Sequence, residues 1–349
     1  MRNAVESTPL GVAYADPRIP ISHYPKEDFW EEILKRRIAY ATIALFSIIF
    51  VLGIVGNGWV IFILGFVMKK TSRIVWLLNL TASNFLFVCS LPLRITHNAM
   101  MLNWPFGRAI CKLNDSIVFL NLYASAYFLA VLSLERWASM KSSTWAQHPR
   151  KIRLTWIVAG GIWLLALGFS SARIHIRHTS RSPVDEDVIV CFLNYGRNLR
   201  QAKINQHLIL ISQYVCAFLV PIVMTIVSLA KTHQRQGVAM RWAKSFKMIT
   251  TMIVTFYLCW LPYAVFSFFE SEYLETSPVL IVGIPLATSL AFASSCVNPI
   301  LYIALGYNFK ERPRPSLLSA FENVFGEESN GTVPETQPKP AAEMSPQNL

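Results

Sequence analysis

Seven stretches of roughly 20 or more residues run through this chain without one Asp, Glu, Lys or Arg. They are Ile38 to Met68, Ile74 to Leu93, Ser116 to Leu134, Leu154 to Ala172, Leu208 to Ala230, Met248 to Phe269 and Val279 to Phe309. A bilayer core about 30 Å thick takes roughly 20 residues of helix to cross. A charge at the centre of such a helix costs about 2.5 to 3.5 kcal/mol. The pattern predicts an all-α membrane protein, a bundle of seven transmembrane helices. The runs are continuous and not alternating, which excludes a closed β-barrel. Composition agrees, with 53% hydrophobic and 15% charged residues, too apolar for a water-soluble chain of this length. The net charge of +12 does not indicate a nucleic-acid partner, because the basic residues interrupt apolar runs instead of forming one face.

Lys and Arg in the connecting loops set the orientation. Lys35, Arg36 and Arg37 before the first span balance Lys69, Lys70 and Arg73 after it. The later loops decide: Lys231, Arg235, Arg241, Lys244 and Lys247 lie between spans five and six, and no basic residue lies between six and seven. Positive charge stays cytoplasmic, so the N-terminus is expected outside. Residues 1–35 then form an extracellular arm, 36–309 the helical domain and 310–349 a cytoplasmic tail. The first 20 residues hold no signal-peptide core, so the first helix is expected to direct insertion. The tail from Gly326 is polar and proline-rich, and is expected to be disordered.

Of six cysteines, Cys89, Cys216, Cys259 and Cys296 lie inside apolar spans, where the ordinary role is a small buried hydrophobe. On this topology Cys111 and Cys191 are both outside, and no other pair shares that side. An oxidising compartment permits their disulfide, which would pin the long outer loop over the bundle mouth; two free thiols are the alternative.

Polar groups inside spans are costly and therefore informative. Asn57, Asn84, Ser125, Ser294, Ser295 and Asn298 are candidates for a shared polar core; singly, each is a helix-packing hydrogen bond. Glu135 and Arg136 close span three, a candidate closed-state lock, although an arginine there also snorkels to the interface. Pro262 in Cys259-Trp260-Leu261-Pro262-Tyr263 kinks span six, and Pro299 in Asn298-Pro299-Ile300-Leu301-Tyr302 kinks span seven. Trp260 and Tyr302 beside these kinks can switch partners between two packings. Trp163 in span four and Pro221 in span five complete the series.

Taken together and in this order, these motifs resemble the rhodopsin-like (class A) G-protein-coupled receptors from about Ile38 to Phe325. Trp104-Pro105-Phe106-Gly107, Trp145-Ala146-Gln147 and Leu305-Gly306 followed by Asn308-Phe309-Lys310-Glu311-Arg312 are similar to the chemoattractant branch, which includes the formyl-peptide and chemoattractant-type prostaglandin D receptors. Cys111-Lys112-Leu113, Phe119-Leu120-Asn121, Ala217 to Pro221, Val265-Phe266-Ser267 and Thr288 to Phe292 read most like the prostaglandin D receptor.

That resemblance implies a lipid carboxylate held by an arginine, a lysine and a tyrosine. Arg177, fourteen residues after Trp163, and Tyr263 stand at the arginine and tyrosine positions; Gln213, eight before Pro221, replaces the lysine. Losing that cation removes about 1.5 to 3 kcal/mol of charge-assisted hydrogen bonding, which puts prostaglandin D itself in doubt. Arg94, with Arg173 and Arg177, can rim the pocket with positive charge, unless Asp115 neutralises it or Arg94 snorkels. Phe119, Tyr123, Tyr214, Trp260 and Tyr263 would suit an acyl chain or an apolar peptide end.

The expectation is a plasma-membrane receptor for an anionic lipid mediator, prostaglandin-D-like, signalling through an inhibitory-type heterotrimeric G protein, with arrestin as a second inner partner. A peptide chemoattractant receptor and a non-signalling scavenger of the same fold are the rivals. Four departures support the scavenger: Asn84 for the usual acid in span two, Trp137 for tyrosine or cysteine, Ser143 for proline and Leu229 for tyrosine. Pro313 and Pro315 compromise the short helix expected after span seven. No nucleophile-base pair, phosphate loop, metal cluster or cofactor motif suggests an enzyme or a bound metal. Without internal repeats, a transporter is remote.

The arm has no Asn-X-Ser/Thr. Glycosidase treatment should therefore release no glycan from residues 1–35; a glycan mapped to that arm would contradict this.

Overall fold

The computed structural model describes residues 26–139, 149–182, 186–196, 198–235, 244–272 and 278–306. The tail, Ser143, Trp145 to Gln147, Asn308 to Arg312, Pro313 and Pro315 lie outside the described residues, as does most of the arm.

Seven helices carry the fold. α1 (Lys26–Phe62) ends in a π-helical turn (Ile63–Val67), followed by α2 (Ser72–Ala99), α3 (Gly107–Ser139) and α4 (Pro149–Ile176). α5 consists of two α-helical segments, Leu199–Gln213 and Val220–Arg235, joined by a π turn, Tyr214–Leu219. α6 (Lys244–Glu272) and α7 (Pro278–Gly306) complete the bundle. All seven are long and apolar enough to cross a membrane. α1 packs on α2 and α7, α7 on α6, and α6 on α5, while α3 runs through the middle and touches α2, α4, α5 and α6. Central α3 accordingly buries Val118 to Tyr123, Ala124, Phe128 and Leu132, whereas α1 and α4 leave Val55, Trp59, Ile157 and Leu164 exposed, as lipid-facing helices must.

Several helices outrun their apolar cores. α1 is already helical at Lys26, so the boundary expected at residue 35 falls inside it. α3 starts at Gly107, which brings Cys111 and Asp115 onto a helix. Apolarity marks only the part of a helix that meets lipid; backbone hydrogen bonding carries the helix further. A two-stranded antiparallel hairpin, β1 (Arg177–Arg181) and β2 (Ile189–Leu193), joins α4 to α5, an addition to the all-α expectation. The α2–α3 turn docks onto it: Trp104 N–H donates to Ile189 O at 2.7 Å and Asn103 Oδ1 accepts from Ile189 N at 3.1 Å. Met101 and Leu102 in that turn adopt positive φ values of 48° and 68°, a costly conformation for residues bearing a Cβ.

One further expectation is corrected. Cys89 is exposed on the bundle's surface and not buried. Asn79 is buried between α2 and α4, where its Oδ1 accepts from Trp163 Nε1 at 2.9 Å. An amide facing hydrocarbon would lose its partners, so packing turns it inward. At the end opposite the hairpin, Lys70 reaches back to the carbonyls of Leu64 and Gly65 and caps the π turn. Partial burial pulls its ammonium below the ordinary lysine pKa.

Glycine lets α1 approach its neighbours. A Cβ on Gly53 would stand 2.6 Å from Val88 Cγ1 and 3.3 Å from Cys296 Sγ, and one on Gly56 3.0 Å from Pro299 Cβ. Gly53→Leu should therefore overpack the α1–α2–α7 contact at a cost of about 1 to 3 kcal/mol. A lowered thermal midpoint of the purified protein would register it; an unchanged midpoint would mean that α1 has room to move.

Candidate functional site

The hairpin is fastened to α3 twice. Cys111 and Cys191 form the disulfide, with S–S 2.03 Å and Cα–Cα 6.0 Å. Asp115 lies four residues after Cys111 and so on the same helix face. Its Oδ1 accepts from Arg177 Nη2 at 2.9 Å, and Arg177 is the first residue of β1. The same Oδ1 accepts from Arg94 Nη2 of α2 at 3.3 Å, and Oδ2 lies 3.8 Å from Arg173 Nε of α4. One buried carboxylate thus faces three arginines. Burying a charge costs several kcal/mol unless it is paired, and the mutual pairing is what makes this cluster tolerable inside the bundle. Arg177 Nη1 also donates to Cys191 O at 3.3 Å, and Arg173 stacks its guanidinium 3.6 Å from the Phe119 ring centroid.

Arg94 and Arg177 line a small cavity with His97, Trp104, Asn114, Asp115 and the disulfide. Deeper in the bundle, aromatic rings form the floor. Tyr263 meets Trp260 edge-on with centroids 5.8 Å apart, and Tyr123 packs on Phe169 at 5.1 Å. The Tyr263 hydroxyl lies within electrostatic reach of Arg94, Arg173, Tyr123 and Tyr214. The structure therefore brings Arg94, Arg177, Phe119, Tyr123, Trp260 and Tyr263 towards one region. Tyr214 is committed elsewhere, its hydroxyl donating to the Ala264 carbonyl of α6. Gln213 is 2% exposed, and its Nε2 has no hydrogen-bond partner among the described residues.

Below this floor a polar core crosses the bundle. Trp260 Nε1 donates to Ser294 Oγ at 3.1 Å, and Asn57 Nδ2 to the carbonyls of Gly53 and Ser295. Asn84 Oδ1 accepts from Asn121 Nδ2 at 2.9 Å and from Ser125 Oγ at 3.4 Å. Asn84, Ser125, Ser294 and Asn298 line one cavity. Asn121 and Ser83 are members that sequence reasoning left out of this core; the spacing of four between Asn121 and Ser125 was the available signal. Pro299 packs under Gly56, and Tyr302 is buried below it.

At the far end, Arg136 is buried. Glu135, one half of the candidate Glu135–Arg136 lock, accepts at Oε1 from Lys151 Nζ of α4 at 2.7 Å. Successive helical side chains point about 100° apart, which suits Glu135 to a neighbouring helix. Trp137 stacks against Lys231 of α5, with Nζ 4.8 Å from the ring centroid.

The family model for the seven-transmembrane receptors of the rhodopsin family matches residues 56–302. This chain belongs to that family. It is similar to human chemerin-like receptor 1, 34% identical over 304 residues covering 82% of this chain and 80% of the relative. It is 36% identical over 298 residues to the C3a anaphylatoxin chemotactic receptor of Oncorhynchus mykiss, covering 84% and 81%. Rat chemerin-like receptor 2 is 33% identical over 324 residues, covering 90% of both chains. The receptor is thus a multi-pass membrane protein of the chemoattractant type of G-protein-coupled receptor and not an enzyme. The relatives are named for chemerin and C3a, and those names lend the prostaglandin expectation no support.

The polar core generates one prediction. A sodium ion there would find neutral amides and hydroxyls, with Asn84 Oδ1 already accepting two hydrogen bonds. Among the described residues no group of three His, Cys, Asp or Glu could hold a metal ion. Exchanging sodium for a bulky organic cation should change agonist affinity less than twofold, about 0.4 kcal/mol; a tenfold change would refute this.

Proposed function

We propose that this receptor sits in the plasma membrane with its N-terminus and hairpin outside, and binds a ligand through a carboxylate. The ligand is in the first place a peptide with a free C-terminus. The observation that carries this reading is the surplus of positive charge beneath the hairpin: three arginines face one aspartate. An anion entering a low-dielectric cavity is stabilised there far more than in water. The relatives named for chemerin and the C3a anaphylatoxin support a peptide over a lipid. The aromatic floor of Tyr263, Trp260 and Tyr123 suits an apolar last residue. The same features would accept an anionic lipid, which is the second reading.

Ligand pressing on Tyr263 and Trp260 would disturb the Trp260–Ser294 hydrogen bond between α6 and α7. Both helices contain the internal prolines that make them deformable, Pro262 and Pro299. Their second packing would open the inner end around Arg136 to a heterotrimeric G protein of inhibitory type and then to arrestin. Ligand drives this only to the extent that it binds the second packing more tightly.

The scavenger reading has its own support at the inner end. Lys151–Glu135 and Lys231–Trp137 tie α3 to α4 and α5, and such ties oppose opening.

The test is G-protein activation in transfected cells by peptides with free C-termini, their C-terminal amides, formyl peptides and prostaglandins. A carboxylate agonist should lose about 10- to 100-fold in potency in Arg177→Ala, matching the loss of about 1.5 to 3 kcal/mol from a charge-assisted hydrogen bond. Equal potency of acids and amides would sink the carboxylate reading. Ligand uptake without nucleotide exchange would make the protein a scavenger.

A further inference from the structure

The arginine cluster is incompletely satisfied. An ionised carboxylate can accept about four hydrogen bonds over its two oxygens. Asp115 instead crowds Arg94 and Arg177 onto Oδ1, while Oδ2 has no hydrogen bond among the described residues and stands 3.8 Å from Arg173. The Nε groups of Arg94 and Arg177 have no hydrogen-bond partner among the described residues, and neither has the Oδ1 of Asn114, a residue that is 5% exposed. These three residues line the same cavity under the disulfide. A buried donor left unpaired is costly, so two guanidiniums with spare Nε donors beside a cavity can each take an acceptor that enters it.

We propose that Asp115 is a resident counter-anion which an incoming carboxylate displaces from Arg177 and Arg94. This rests on the carboxylate reading above. In the free receptor Asp115 holds the two arginines and blocks casual anions. On binding, the ligand carboxylate takes their Nη and Nε donors as a fork, and Asp115 closes its 3.8 Å gap to Arg173, which stays beside it on the Phe119 ring. Three positive charges then face two negative ones, a better balance than three against one. An uncharged ligand end has nothing to exchange and gains none of this. The exchange also releases the ionic tie between β1 and α3, while the disulfide, four residues away on the same helix, still holds the hairpin. Asp115 thereby sets both the affinity threshold and the preference for charged over neutral ligand ends.

The experiment uses the full-length purified receptor and two probes, N-acetyl-leucyl-phenylalanine and its C-terminal amide, titrated by tryptophan fluorescence. Asp115→Asn should bind the acid at least tenfold more tightly than wild type and the amide no more tightly, and adding Arg177→Ala should abolish the gain. If uncompensated arginines prevent Asp115→Asn from folding, the pair Asp115→Asn, Arg173→Gln is compared with Arg173→Gln and should show the same gain. An acid affinity that does not rise, or a gain shared equally by the amide, overturns the proposal. A gain in a receptor that no carboxylate activates would retain the counter-anion and discard the functional reading. A carboxylate agonist that needs Arg177 but gains nothing in Asp115→Asn would do the reverse.

Discussion

Hydrocarbon offers no hydrogen bonds, and the rest of this structure depends on that fact. Every backbone N–H and C=O at membrane depth must be satisfied within the chain, which leaves helices as the form available to continuous apolar runs. Exceptions occur where neighbours can compensate. Pro92, Pro262, Pro285 and Pro299 interrupt α2, α6 and α7 inside the bundle. Lys70 serves the carbonyls that the π turn at the end of α1 leaves open. Side chains obey the same constraint, which is why Asn57, Asn79, Asn84 and Asn121 all point at partners within the bundle.

The charged cluster under the hairpin applies this rule to ions. Arg94, Arg173, Arg177 and Asp115 come from α2, α4, β1 and α3. Individually each would resist burial; together they fix how three helices and a strand meet at one end. Because three cations share one anion, the cluster is both a structural joint and a place for further negative charge. A joint built this way transmits occupancy, since whatever takes Arg177 also acts on the strand that Arg177 begins.

Much of this was legible in the residues. Seven charge-free runs define seven helices, and the motifs around Arg136, Pro262 and Pro299 carry the resemblance to the family whose model matches residues 56–302. The Cys111–Cys191 bond follows from topology and cysteine count. What escaped reading depends on which way a side chain turns. Cys89 looked buried because a one-dimensional run does not say which face of α2 meets its neighbours. That Glu135 meets Lys151 of another helix is likewise not written in the order of residues. Asp115 was legible as a charge that could neutralise the arginines, but that one carboxylate faces all three, from a helix that begins at Gly107, appears only in the structure. The ligand reading was weakest because it rested on resemblance at single positions, and one of those positions holds Gln213 in place of lysine.

The π turn in α5 has a consequence for how this chain can change over time. A π turn accommodates one extra residue in an α-helix, and each helical residue advances the side-chain direction by about 100°. Tyr214–Leu219 therefore sets the angular phase between the two halves of α5. Loss of one residue there would relax the turn to ordinary helix and rotate everything on its hairpin side, carrying Gln213 out of the interior, while Pro221 and the far half kept their facing. Substitutions across α5 alter one contact at a time. A single-codon deletion in these six positions would instead re-aim an entire wall of the cavity in one step.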